Sequence, residues 1–147
     1  MSLGKILIGT FFAASVAFTI LSLSTQQLSA VPENIRVCDA KKSYSLPYKT
    51  FKSDELIPGK PAGMEATFSP IHDGKIQTME MKVYKGPFKI WSQTITQPTD
   101  FKADQEFSFL FKTSLPSIVP HIKVTMNMVF SNPAKEELSC IAFELNF

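Results

Sequence analysis

Ten prolines (Pro32, Pro47, Pro58, Pro61, Pro70, Pro87, Pro98, Pro116, Pro120 and Pro133) punctuate residues 31–147 and leave only short proline-free windows there. Each lacks an amide donor and clashes with the preceding turn of a helical ladder. The windows between them alternate apolar and polar residues with period two, the signature of strands with one buried face. In Gln105–Lys112, Phe107, Phe109 and Phe111 share a face opposite Ser108, Leu110 and Lys112. In His121–Phe130, Ile122, Val124, Met126, Met128 and Phe130 oppose His121, Lys123, Thr125 and Asn127. Lys75–Tyr84 sets Met79, Met81 and Val83 against Thr78, Glu80 and Lys82, and the C-terminus sets Ile141, Phe143, Leu145 and Phe147 against Ala142, Glu144 and Asn146. Weaker strands are expected over Ile35–Ala40, over Tyr44–Lys52 with an edge position or bend at Pro47, over Gly63–Ser69 with Met64, Ala66 and Phe68 inward, and over Phe88–Ile95 around Trp91. Ile57–Pro61, His72–Gly74 and Ser131–Pro133 carry turn chemistry. Seven or eight antiparallel strands separated by turns predict an all-β, immunoglobulin-like β-sandwich.

The N-terminus follows a different pattern. Met1–Lys5 is a short basic segment, Ile6–Leu23 is uncharged and apolar, and Ser24–Ala30 is polar and small. That order is a secretory signal peptide over residues 1–30, with cleavage between Ser24 and Ala30. An uncleaved signal anchor is the competing reading, since the apolar run is 18 residues, the lower edge of a membrane span. One domain is expected over residues 31–147, in the secretory route. The two cysteines, Cys38 and Cys140, sit near the two ends of that domain. Even parity in an oxidising compartment favours a disulfide over two buried thiols.

The formal charge of +2 comes with one arginine, Arg36, and scattered lysines. This excludes a nucleic-acid footprint and permits only a weak, salt-sensitive attraction to anionic lipid surfaces. Gly59, Gly63, Gly74 and Gly86 form no phosphate-binding loop, and there is no Gly-x-Ser-x-Gly elbow. His72 falls in a turn and His121 on an outward face, neither with a metal-ligand partner at the required spacing. The acidic pairs Asp54–Glu55 and Glu136–Glu137 adjoin turns, where charge is normally solvated. No enzyme, metal or cofactor is expected.

The inward face is rich in Phe and Met: Phe68, Met79, Met81, Phe107, Phe109, Phe111, Met126, Met128, Phe130 and Phe143. Periodicity alone does not separate an ordinary core from a ligand-binding one. An empty apolar cavity of about 300 Å³ would cost on the order of 7 kcal/mol, more than a domain this size tolerates. An inter-sheet pocket must therefore collapse when empty or hold an apolar guest.

Three stretches resemble one family. Val37-Cys38-Asp39 opens the domain. Ile57-Pro58-Gly59-Lys60-Pro61-Ala62 leads into an alternating strand. Leu115-Pro116-Ser117-Ile118 runs into Ile122–Phe130 and then Glu137–Phe143, with Cys140 just inside the last strand. In order and spacing they resemble the ML lipid-recognition domains, the group of the lysosomal Niemann–Pick type C cholesterol-transfer protein, the ganglioside activator and the group 2 mite allergens. The resemblance implies splayed sheets that admit a sterol, phospholipid or acyl chain, a Cys38–Cys140 bridge, and a monomeric lipid carrier of the extracellular space or the endolysosomal or vacuolar lumen. Transient contact with membranes or with a membrane lipid-transfer protein follows from the same resemblance. It places Phe68, Met79, Met81, Val83, Phe107, Phe109, Ile122, Val124, Met126, Met128 and Phe143 along the pocket. It places the mouth near Phe111, Leu115 and Pro116 and near Phe88–Trp91. Only the terminal cysteine pair is present, where animal members usually carry more bridges, so the lipid class transfers better than the particular lipid. The alternative from another class is an interaction or receptor-accessory sandwich with a solid core.

Overall fold

The computed structural model describes residues 28–116 and 122–147. The leader lies outside them except for Leu28–Ala30, and so do Ser117, Ile118 and His121. Every regular element among the described residues is a strand: β1 (Glu33–Val37), β2 (Tyr48–Ser53), β3 (Pro61–Phe68), β4 (Gly74–Lys85), β5 (Phe88–Phe101), β6 (Phe107–Ser114), β7 (Lys123–Ser131) and β8 (Glu137–Asn146). They form a five-stranded sheet in the order β1-β8-β7-β4-β5 and a three-stranded sheet in the order β2-β3-β6. All pairings are antiparallel. This is the expected all-β sandwich.

The alternation read from sequence sets the faces. Met79, Met81 and Val83 on β4, Val124, Met126, Met128 and Phe130 on β7, and Ile141, Phe143 and Leu145 on β8 are all closed to solvent. Ala62, Met64, Ala66 and Phe68 on β3, with Phe109 and Phe111 on β6, meet them from the smaller sheet. Three boundaries differ from expectation. β1 ends at Val37, so Cys38 falls just beyond it. β2 begins only at Tyr48, because Pro47 ends an irregular segment in which Tyr44 and Leu46 are nevertheless buried. β5 does not stop at Ile95 but runs through Pro98 to Phe101. It is an edge strand, and its register slips between Ile76 and Thr78 on β4, opposite Pro98, so no ladder bond is lost there.

The chain passes between the sheets at residues 38–47, 69–73, 102–106 and 115–122. The first three passages gather at one end. There the Leu46 amide donates to the Leu138 carbonyl at 3.0 Å and the Ser69 amide to the Pro47 carbonyl at 2.9 Å. The same end is packed with rings: Phe68 on Phe107 at 5.5 Å and on Phe130 at 5.0 Å, and Phe101 stacked on Phe107 at 5.4 Å. Gly74 is required there, since a Cβ would lie 2.6 Å from the Phe101 ring. At the opposite end the sheets are joined by the connection from β6 to β7 and by the Ala30–Leu56 bridge just before β1, where the Ala30 amide donates to the Leu56 carbonyl at 2.9 Å and the Leu56 amide to the Ala30 carbonyl at 2.7 Å.

β1 has little to bury, with four exposed residues out of five. It is held by its ladder to β8 and by the Cys38–Cys140 disulfide, whose Cα atoms are 5.4 Å apart and 102 residues apart in sequence. A cluster on Glu144 adds to this. The Asn34 amide donates to its carboxylate at 2.9 Å, and Lys123 and Arg36 lie at 3.3 and 3.8 Å. The Asn34 hydrogen bond, and then Lys123, hold the Glu144 carboxyl below its ordinary value of 4.5.

Two predictions follow from the attachment of β1. Cys140→Ser should lower unfolding stability by about 2–5 kcal/mol in chemical denaturation, since a loop of about a hundred residues is freed. Amide exchange should then rise first in β1, ahead of β4 and β7. For Glu144, a lowered native pKa means that its contribution is complete above pH 4.5 and is lost as the pH falls through the native value. The stability curves of wild type and Glu144→Gln should therefore stay apart between neutral and mildly acidic pH and converge only in stronger acid.

Candidate functional site

The space between the sheets is layered along the strands. Beyond the aromatic end comes a methionine layer. Met64, Met79, Met81, Met126 and Met128, every methionine after Met1, are 0–3 % exposed. Opposite those on the large sheet, β3 presents the small side chains of Ala62 and Ala66. Unbranched thioethers facing alanines make a layer whose side chains can change rotamer without a backbone shift. The layer nearest the loosely tied end is aliphatic: Val83, Val124, Leu145 and Leu115 are buried, and Trp91 and Ile122 half-buried against them. Phe51 stacks on Phe143 at 5.2 Å and bridges the sheets on the β2 side.

On the opposite side, β5 and β6 are the edges of different sheets and share no backbone ladder. Two side-chain hydrogen bonds join them. The Thr113 hydroxyl, 6 % exposed, donates to Gln93 Oε1 at 2.9 Å. Gln97 Nε2 donates to the Leu110 carbonyl at 2.8 Å. The sandwich is therefore most tightly tied and ring-packed at one end, while toward the other its β5–β6 side is closed by these two hydrogen bonds and by the half-buried Trp91 and Ile95.

The residues assigned to the pocket fall into three groups. Phe68, Met79, Met81, Val83, Phe109, Phe111, Leu115, Val124, Met126, Met128 and Phe143 are buried together between the sheets. Trp91, Phe107, Pro116 and Ile122 are half-buried, with Phe107 at the aromatic end and the other three at the opposite one. Phe88 does not line the interior. It is 72 % exposed at the tip of the β4–β5 hairpin. β6 ends at Ser114, close to Gln93, so the hairpin extends past the smaller sheet, and among the described residues β6 offers Phe88 no side chain to pack against.

The sequence reading missed the Gln93–Thr113 pair. Its trace was the inward phase Trp91-Gln93-Ile95, with a polar residue in the middle. It also passed over Leu46, Phe51 and Leu56 as core. The acidic pairs serve structure: Asp54 accepts from the Gly63 amide at 2.9 Å, Glu136 binds Asn132, and Glu137 lies 3.4 Å from Lys42. Burial, with Glu137 next in effect, raises the Tyr44 hydroxyl above its ordinary value. Two open grooves lie on the outer faces. One of ≈ 480 Å³ runs over the small sheet past Lys52, Glu65, Leu110 and Lys112, and one of ≈ 330 Å³ runs over the large sheet past Arg36, Tyr84, Thr125 and Asn127.

The β5–β6 contact is open to a double-mutant test. Gln93→Leu should cost about 1–3 kcal/mol in equilibrium unfolding, because it strands a buried hydroxyl. Gln93→Leu with Thr113→Val should recover most of that loss, giving a coupling that two unrelated surface residues would not show.

No protein-family model matches the chain. No curated protein matches it in sequence either. Among solved structures, chicken MD-1 complexed with lipid IVa superposes with a TM-score of 0.51 at 11 % identity, over 82 % of this chain and 98 % of that one. Spo0M, a sporulation control protein from Bacillus subtilis, gives 0.47 at 13 % identity, over 67 % and 48 %. A Niemann–Pick type C2 protein from the Japanese carpenter ant gives 0.39 at 15 % identity, over 82 % and 93 %. The last two scores are too low to bear on the fold. The likeness to MD-1 is one of architecture: the two chains share a sandwich of two antiparallel sheets.

Proposed function

We propose that this chain binds lipid: residues 1–30 direct it into the secretory route, and residues 31–147 hold a single sterol or phospholipid between the sheets and carry it through an aqueous lumen. The observation that carries this reading is the interior of five buried methionines, four of them on the large sheet opposite the alanines of β3, inside a fold shared with a protein whose structure contains lipid IVa. Such an interior adapts to apolar guests of different outline. In the structure these side chains are sealed from water, so a guest gains its room by parting the sheets. The asymmetry of the ties favours parting at the Val124 and Leu115 end, with Gln93–Thr113 and Gln97–Leu110 as the contacts that give way. Lipid contacts then replace side-chain contacts, and binding stabilises the opened form. Selectivity comes from shape and from the polar groups at that end. Transport of this kind needs no covalent step, cofactor or metal.

The same closure favours a second reading, a solid-core interaction module. Mass spectrometry of organic extracts from the purified protein, with titration of a fluorescent sterol and a fluorescent phospholipid, separates the two. A lipid carrier should yield a co-purifying lipid or saturable uptake, and Val83→Phe or Val124→Trp should abolish that uptake. A solid core should yield neither, and the same substitutions should only destabilise it, by about 1–3 kcal/mol through overpacking.

A further inference from the structure

The β4–β5 hairpin carries apolar surface that the fold does not use. Its two-residue turn is Gly86-Pro87, with glycine at a φ of +58°. Every residue from Lys85 to Ile90 is exposed, and among them Phe88 is 72 % and Ile90 50 % exposed. A register slip between Val83 and Tyr84 leaves Ile90 out of the ladder. Both side chains are thus exposed at the end of a hairpin that extends past the smaller sheet.

The charges carried by the hairpin itself have one sign. Residues 81–99 contain Lys82, Lys85 and Lys89 and neither Asp nor Glu. Lys82 lies 3.8 Å from Glu80, further down the strand. Lys85 and Lys89 make no ion pair among the described residues, and Lys60, on the turn whose Gly59 amide donates to the Leu115 carbonyl, makes none either. Tip, lysines and the weakly tied end of the sandwich coincide: Lys85 and Phe88 close the hairpin one step beyond Tyr84, which pairs with Thr125 beside Val124. Leu110, the other exposed large aliphatic on a strand that borders the β5–β6 side, lies on the outer face of the small sheet, away from this end.

We propose that the hairpin tip is a docking surface for anionic lipid bilayers, with Phe88 and Ile90 entering the interfacial layer while Lys85, Lys89 and Lys60 meet lipid phosphates and carboxylates. An exposed apolar hairpin tip flanked by unpaired lysines fits a fluid interface that closes around it, where a protein partner would need a matching socket. Docking in this pose brings the Val124–Leu115 end to the bilayer, so that a lipid passes between membrane and protein with a short path through water. That purpose rests on the lipid-binding reading. The docking itself does not.

The test uses protein purified from a secreting host, floated with vesicles of phosphatidylcholine alone or with phosphatidylserine added. Wild type should prefer the anionic vesicles and be released by salt. Phe88→Ser should weaken binding about tenfold or more, Lys85→Ala and Lys89→Ala about fivefold each, and Leu110→Ser should change nothing. All four sites are exposed, so thermal midpoints should stay at the wild-type value. In parallel, uptake of a fluorescent sterol or phospholipid from cyclodextrin reads the interior with no membrane present, and the tip variants should retain it. Docking is overturned if wild type binds neither vesicle, or if Phe88→Ser binds like wild type, whatever the cyclodextrin result. Tip-dependent flotation without any uptake would uphold docking and remove the lipid-carrier reading.

Discussion

Three strands cannot cover five. The smaller sheet, β2-β3-β6, seals the middle of the larger one, and water is excluded only from that overlap. The three places where cover runs out each have their own arrangement. β1 has almost no buried face, and it is kept in the sheet by a disulfide and by the cluster on Glu144. β5 lies at the margin of the overlap, and its glutamines reach across to β6. The tip of the β4–β5 hairpin projects past the margin and keeps its apolar side chains in the open.

The overlap itself is graded. Rings interlock where three chain passages bind the sheets, methionines occupy the middle, and branched aliphatics fill the end joined by the β6–β7 connection and the Ala30–Leu56 bridge. Rings packed at 5.0–5.5 Å resist separation, because any displacement breaks several contacts at once. Thioethers are more tolerant. The gradient in side-chain stiffness and the gradient in covalent ties run the same way, and both make the Val124 end the easier one to part.

Much of the architecture was legible in the sequence. Alternation in β4, β6, β7 and β8 assigned the inward residues, because a two-residue period fixes the face of each side chain whatever the strand pairs with. Pairing order was not legible for the same reason: alternation is silent about neighbours. That silence hid Gln93, which reads as a polar intrusion until β6 is known to run beside β5. Pro98 misled because its meaning depends on position: it would end an interior strand, and an edge strand takes it at a slip in register. Phe88, which the resemblance puts near a pocket mouth, projects beyond β6 in the closed structure, and alternation is silent about the lengths of β4 and β5 relative to β6 that leave it there. The irregular segment holding Tyr44 and Leu46 has no period at all, so its contribution to the core left no pattern to read.

The methionine layer also has a chemical side. A thioether in an oxidising compartment is open to conversion into a sulfoxide, which is polar and chiral and does not suit an apolar interior. Met79, Met81, Met126 and Met128 are shielded by complete burial, with no shielding from chemistry of their own. On the proposed lipid-binding reading, oxidant would reach them only in the moments when the sheets stand apart. The fraction of sulfoxide gathered over time would then be a clock for that motion, and a guest that fills the gap would slow it. In an oxidising compartment, staying closed or staying full would be the same safeguard.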